Sequence, residues 1–279
     1  MEHKKTKIVL DADVIIHFME ANYFSILPDI FPEYEYLILD VVYNEISQNS
    51  GTKDFIDKYL HFFHKLKKEV LYYAKLMDEK GLVNTLEGNL SILDRKTGKI
   101  YITPSGTRKR FLNEDKIAVV NTENGEQIEG TVKKSSEILL HEAALKARPD
   151  CNAAAHIHAP YLTAYAYCGK DIKLKCSTTF SLVFEEIPCL PYGLPGTIHI
   201  ADGIEDAIKD HDLILLGNHG CIAVGKTLED AVKIIEAAEE VLRIYHLTKE
   251  IGPVHNISDS DLEELYNNHP ESRRNRYGK

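Results

Sequence analysis

One pattern occurs twice between residues 89 and 132: an apolar run, a polar turn closing on glycine, and a second apolar run. NLSIL and KIYIT flank DRKTG, and KIAVVN and EQIEGTV flank TENG. Glycine late in such a loop admits the left-handed backbone of a tight antiparallel connection, so each unit reads as a β-hairpin. Two hairpins in succession commit this stretch to an antiparallel sheet.

Helical periodicity surrounds it. From Asp54 to Lys80, Phe55, Tyr59, Phe62, Phe63, Leu66, Val70, Tyr73 and Met77 recur at three- and four-residue steps before Gly81, which predicts one long helix or two broken near His64. Ser135 and Ser136 precede the helical stretch ILLHEAALKA, with Glu137 in its first turn. NAAAHIHA then reads as a buried strand, APYLTAYAYCG as a helix stopped by Gly169, IPCLPYG as a strand, GIEDAIKDH as a short helix and DLILLGNHGCIAVG as a buried strand pair. A long amphipathic helix follows, with Leu228, Val232, Ile235, Leu242 and Tyr245 on one stripe. The tail from Asp259 begins helical and ends in a polar stretch read as disordered. The implied fold class is α/β, a mixed, mainly antiparallel central sheet flanked by helices.

The N-terminal part is a separate pattern. KIVLDADVIIHF and YLILDVVYNEI read as strand, helix, strand, and the turn-rich SQNSGTKD closes them off. Residues 1–53 are therefore expected to form a small segment and residues 54–279 the main domain.

Charge and composition narrow the partners. The chain carries 33 Lys and Arg against 43 Asp and Glu, a net charge of -10, which works against binding a polyanion such as nucleic acid. Most of the basic clusters, at Lys4-Lys5, Lys65-Lys67-Lys68, Arg108-Lys109-Arg110 and Arg273-Arg274-Arg276, read as solvated surface. No apolar stretch nears the roughly 20 residues of a membrane span. Asp11 and Asp13 interrupt IVLDADVII, which does not read as a secretory signal, so a cytoplasmic protein is expected. Five cysteines without a C-x-x-C pair read as reduced, mostly buried thiols.

Two histidine motifs carry the strongest chemical signal. In a strand, side chains two apart leave the same face, so His156 and His158 project together and can grip one ion. His219 sits between glycines in GNHG, directly after the apolar run LILL. Three imidazoles with one open position suit a catalytic divalent metal. On the residues alone, all three also fit ordinary histidines bonded to backbone and water. Glu137 likewise has two readings: a carboxylate that favours a helix dipole, or an acid/base beside a metal.

Three small-residue segments can cradle a phosphate: Gly88 with Asn89, Ser105 with Gly106, and Ser135 with Ser136. Glycines expose N–H groups, serines donate hydroxyls, and a helix start adds unpaired N–H groups. Turn formation and helix capping explain each segment equally well.

Taken together, GLVNTLEGNLSI, ITPSG, KKSSEILLHEAALKARPDCNAAAHIHA and LILLGNHGCIAVGKTLEDA resemble the class II aldolase/adducin family, in order and spacing, from about Leu66 to Leu265. The resemblance implies zinc, or another divalent metal, on His156, His158 and His219, and Glu137 as acid/base. It implies substrate phosphate against Gly88, Asn89, Ser105, Gly106, Ser135 and Ser136. The implied fold is a nine-stranded sheet with helices on both sides, assembled as a homotetramer with active sites between subunits. The implied reaction is retro-aldol cleavage of a phosphorylated ketose of the fuculose-1-phosphate type. Family aldolases also take a tyrosine from the neighbouring subunit to protonate the aldehyde's oxygen; the matching stretch KLKCSTTFSLVF holds none, and Tyr277 is the one candidate for a second, tail tyrosine. A dehydratase, decarboxylase or 4-epimerase on the same metal site is the alternative.

The N-terminal segment resembles the opening half of a PIN-type nuclease domain, with Asp11 and Glu45 at metal-ligand positions. Two carboxylates are too few to hold magnesium firmly, so a truncated, non-nucleolytic segment is expected, and a PIN-derived nuclease module is the further alternative.

Overall fold

The computed structural model describes residues 66–277, the strands Lys7–Leu10 (β1) and Glu35–Ile38 (β2), and a few residues between those strands. β1 and β2 pair in parallel, Lys7 opposite Glu35, as a strand-helix-strand unit requires. Asp11, Glu45, His64 and the expected boundary at residues 53 and 54 lie outside the described residues.

Eight strands build the main sheet. In chain order they are Asn89–Asp94 (β3), Lys99–Ile102 (β4), Ala118–Asn121 (β5), Gln127–Glu129 (β6), Ala153–Ile157 (β7), Cys189–Leu190 (β8), Leu213–Leu216 (β9) and Gly220–Gly225 (β10). Their spatial order is β6-β5-β4-β3-β7-β10-β9-β8. Every pairing is antiparallel except β8 with β9. The two expected hairpins are β3-β4 and β5-β6, with Gly98 (φ 64°) and Gly125 (φ 71°) in their loops. The count is eight rather than nine among the described residues; the segments around Ile172 and Ile187 meet only in an isolated bridge.

Helices cover both faces. A helix over residues 66–79 (α1), with Pro160–Tyr167 (α3), Thr178–Val183 (α4) and Leu228–Ile251 (α6), lies on one face. Ile138–Ala147 (α2) and Ile204–Ala207 (α5) lie on the other. β7 is buried at all five positions. Ala153, Ala155 and Ile157 join the first core and Ala154 the second, the alternation a strand imposes. Leu228, Val232, Ile235 and Leu242 bury the inner stripe of α6, each worth about 1.5–3 kcal/mol. Its start is fixed by a capping box in which Thr227 and Asp230 exchange side-chain to backbone bonds.

The chain end departs from the expectation of disorder. After Asp259–Asn268 (α7) comes a further helix, Arg273–Tyr277 (α8). Arg273 anchors it by donating to the Asp210 carbonyl (2.7 Å) and pairing with Glu185 (3.4 Å). Specific partners, which composition does not reveal, order a polar tail. All five cysteines are free thiols; Cys151 and Cys221 are buried, whereas Cys168 is exposed. No helix among the described residues is long and apolar enough to cross a membrane.

Candidate active site

The centre of the sheet delivers the three histidines to one point. His156 is the fourth residue of β7 and fully buried, and His158 follows β7 directly. His219 comes from the turn between β9 and β10, where Asn218 adopts φ 55° and the His219 N–H donates to the Leu216 carbonyl (3.0 Å). β10 pairs with β7, Cys221 opposite Ile157, which places the turn beside the H-x-H end. A Cβ on Gly220 would stand 2.8 Å from the Ile157 carbonyl and 3.2 Å from the His158 ring, so glycine is required for this approach.

The donor set fits a divalent cation. His156 Nδ1 lies 2.8 Å from the Cys221 carbonyl. A carbonyl only accepts, so Nδ1 carries the hydrogen and Nε2 keeps its lone pair toward the cluster. Nε2 of His158 and Nε2 of His219 each lie 3.1 Å from His156 Nε2. Nitrogens around a tetrahedral zinc stand roughly 3.3 Å apart at ordinary bond lengths. Burial lowers His156 to about 4; burial, with repulsion from His156 and His219, lowers His158 to about 3. Both are therefore neutral near pH 7, the form that binds metal.

Glu137 is the N-cap residue of α2, yet its side chain makes no capping bond. Its Oε1 lies 2.9 Å from His219 Nε2 and its Oε2 3.3 Å from His156 Nε2, while Asn89 Nδ2 donates to Oε2 (2.7 Å). The side chain thus faces His219, His156 and Asn89 rather than capping the N–H groups of α2. Burial pushes this carboxyl up, but the imidazoles of His156 and His219 and the Asn89 amide outweigh it and hold the group well below the usual carboxylate range.

The small-residue segments converge on the same place. Pro104 bridges Lys134, Ser105 Oγ accepts from the Ser136 N–H (3.2 Å), and Ser135 Oγ accepts from the Glu137 N–H (3.2 Å). Gly88 takes φ 82°, and a Cβ there would strike Val83 at 2.5 Å. A cavity of about 390 Å³ is lined by Gly88, Asn89, Ser105, Gly106, Ser135 and Ser136 together with Glu137, His158 and His219. All six residues expected to face phosphate thus share one cavity with His158 and His219. The Asn89 side chain, however, is occupied by Glu137 and by His141, whose Nε2 bonds Asn89 Oδ1.

Several lining residues were not singled out in the sequence. Lys109, assigned above to solvated surface, is buried, with its Nζ on the carbonyls of Asn84 (3.2 Å) and Glu87 (3.3 Å), and it lines the cavity. The 3₁₀ turn Lys109–Phe111 directs it inward while Arg108 and Arg110 stay out on Asp78. Burial pushes the Lys109 ammonium down, against the attraction of Asp78, Glu137 and Glu87. Tyr167, at the end of α3, and Asn218 also line the cavity. His141 was legible: it stands four residues after Glu137 in a helical pattern and shares its face. Tyr277 ends α8, and its side chain lies outside the described residues.

Residues 68–246 match the family described as the class II aldolase and adducin N-terminal domain. The chain belongs to that family. It is 32% identical over 201 residues to the 5-deoxy-D-ribulose 1-phosphate aldolase of Bacillus thuringiensis serovar kurstaki, covering 72% of this chain and 93% of that one. It is 32% identical over 200 residues to the L-fuculose phosphate aldolase of Escherichia coli strain K12, covering 71% and 91%. Among solved structures, an L-fuculose 1-phosphate aldolase superposes with a TM-score of 0.66 at 29% identity, covering 73% of this chain and 95% of that one. Family membership makes this chain a class II aldolase-type enzyme with the mixed, mainly antiparallel fold expected. Divalent-metal dependence is general in this class, and the histidine cluster supplies a matching donor set.

Proposed function

We propose that the chain cleaves a phosphorylated ketose between C3 and C4, giving dihydroxyacetone phosphate and an aldehyde, with His156, His158 and His219 holding zinc or another divalent metal. The observation that carries this reading is the Glu137 carboxylate set against His156 and His219 inside the cavity that Gly88, Ser105, Gly106, Ser135 and Ser136 line. A metal held there supplies Lewis-acid stabilisation for negative charge developing on the ketose oxygens.

The chain's own residues do the rest. Exposed backbone N–H groups and the serine hydroxyls orient the phosphate, and Lys109 adds a positive charge from within the protein. When the C3–C4 bond breaks, its electron pair stays on C3, and Glu137 carries the proton that C3 takes up. The C4 hydroxyl loses one proton in exchange, so the step balances. We assign that proton to the phenolate form of Tyr167, the tyrosine among the lining residues. Its own proton has passed through solvent to the Glu137 carboxylate that delivers one to C3, so both groups end as they began.

Two relatives support the substrate class. The first name specifies 5-deoxyribulose 1-phosphate and the second fuculose phosphate, while the solved structure's name gives fuculose 1-phosphate, each sugar ending in a methyl group; the proposed substrate is a ketose 1-phosphate of this deoxy type. A homotetramer belongs to the proposal: the exposed Leu86 lines the cavity, and the exposed Tyr192 and Leu194 lie beside another lining residue, Pro195, apolar positions that a neighbouring subunit would cover.

The test is dihydroxyacetone phosphate release by the metal-loaded protein from fuculose-, rhamnulose-, ribulose- and 5-deoxyribulose-1-phosphates, with light scattering for mass. Fastest release from the methyl-terminated substrates is expected. Metal bound without release from any of them would overturn the aldolase reading in favour of dehydration, decarboxylation or epimerisation.

A further inference from the structure

We infer that Ser91, His141 and Asn89 form a buried relay that fixes the direction in which the Glu137 carboxylate points, which makes His141 and Asn89 positioning residues. The inference rests on the reading of Glu137 as the proton carrier.

His141 is fully buried on α2, one turn beyond Glu137. Its Nδ1 lies 2.7 Å from Ser91 Oγ, and its Nε2 is hydrogen-bonded to Asn89 Oδ1. Asn89 Nδ2 in turn donates to Glu137 Oε2 at 2.7 Å. Asn89 and Ser91 are two apart on β3 and so share the face toward α2; both are buried.

The polarity of this chain has one consistent solution. The Asn89 amide oxygen only accepts, so His141 Nε2 must carry a hydrogen. Burial lowers His141 to about 4 and keeps the ring neutral, so Nδ1 accepts and the Ser91 hydroxyl donates. Asn89 is thereby held with its NH₂ toward Glu137. A flipped amide would turn its oxygen to the carboxylate, a repulsion that no change of His141 tautomer relieves, because Glu137 can only accept. Oε2 is thus pinned from one side while Oε1 faces His219. Without the relay the carboxylate is free to turn about its last torsion, which has broad wells.

The test uses the full-length, metal-loaded protein with Glu137 intact. His141→Leu removes the donor to Asn89. His141→Gln places an amide N–H near the position of Nε2 and restores it. Asn89→Asp keeps the acceptor for His141 but turns an oxygen on Glu137. For His141→Leu and Asn89→Asp, kcat should fall about 10- to 100-fold, the range for partners that orient a reacting group, with KM and metal content unchanged; His141→Gln should recover most of the loss. Wild-type kcat per bound metal in His141→Leu, failure of His141→Gln to recover, or a raised KM at constant kcat in Asn89→Asp would overturn the relay, the last because it makes Asn89 a substrate-binding group. Should His141→Leu fail to fold, Asn89→Asp carries the test alone. Crystal structures of the metal-loaded variants give a readout independent of turnover. A Glu137 carboxylate turned away from its wild-type direction supports the relay, and an unmoved one overturns it even if the wild type cleaves none of the sugars.

Discussion

Glu137 Oε1 lies 2.9 Å from His219 Nε2, although the two residues stand 82 positions apart in the sequence, one before α2 and one in the turn after β9. Only the pairing of β10 on β7 and of β7 on β3 closes that separation. A carboxylate placed this way faces both the ligand-type histidines and the segments that can receive phosphate. It therefore stands where a proton must move if substrate spans the cavity.

Glu137→Gln tests that role most directly. The substitution keeps size and an acceptor for Asn89 but removes the titrating group. Steady-state kinetics should show kcat down by about 100- to 10,000-fold with metal content retained. A variant that keeps wild-type kcat would remove Glu137 from the chemistry.

His158→Ala deletes one of three imidazoles while leaving His156 in the strand. Elemental analysis should find much less metal per protein than in wild type, because two nitrogens rarely hold a divalent ion against buffer. Adding zinc should raise the melting temperature of wild type more than that of the variant, since an ion bound to the folded state stabilises it by mass action. Equal metal content in both proteins would count decisively against the cluster.

The parts of this molecule that were legible in the chain are those fixed by local rules. The hairpins show themselves through Gly98 and Gly125, which take the left-handed conformations their loops need, and His156 with His158 through strand alternation. Lys109 is different: three consecutive basic residues look alike in sequence, and only the 3₁₀ turn there decides that one faces inward. The ordered α8 depends on Arg273 finding Asp210 and Glu185, partners more than sixty residues away. The occupation of the Asn89 side chain was hidden for the same reason, since it follows from β3 and α2 packing together.

Gly220→Ala probes the close approach of β10 to the H-x-H end. The added methyl would meet the Ile157 backbone carbonyl at 2.8 Å, where no side-chain rotation can relieve it. Overpacking of this kind costs about 1–3 kcal/mol, and relief by strand displacement shifts His158. Both a lower unfolding free energy in urea and weaker zinc binding are expected; a variant equal to wild type in both would refute the steric argument.

Tyr167→Phe removes the phenol assigned to the C4 hydroxyl proton and leaves the ring. With phosphate and metal contacts intact, kcat should fall about 100-fold or more at nearly constant KM. An unchanged kcat would mean that a group from outside this chain's own cavity lining serves that oxygen.

Asp150 offers a pH test away from the cavity. The Arg148 guanidinium donates to both of its oxygens (2.9 and 2.8 Å) and also pairs with Asp212 at 2.8 Å. The bonds from Arg148 hold Asp150 at about 2, against the smaller upward push of burial. A carboxylate depressed on folding binds fewer protons folded than unfolded, so its contribution is complete above the ordinary value of about 4 and is lost as pH falls toward 2. Asp150→Asn should therefore be less stable than wild type at pH 7. Solvent screening keeps the difference to about 1 kcal/mol or less, because Asp150 is half exposed. Urea unfolding from pH 7 down to pH 3 should show the gap narrowing as wild-type Asp150 takes up its proton; a gap that is constant or widens with acid would show that the stability resides in packing rather than in the ion pair.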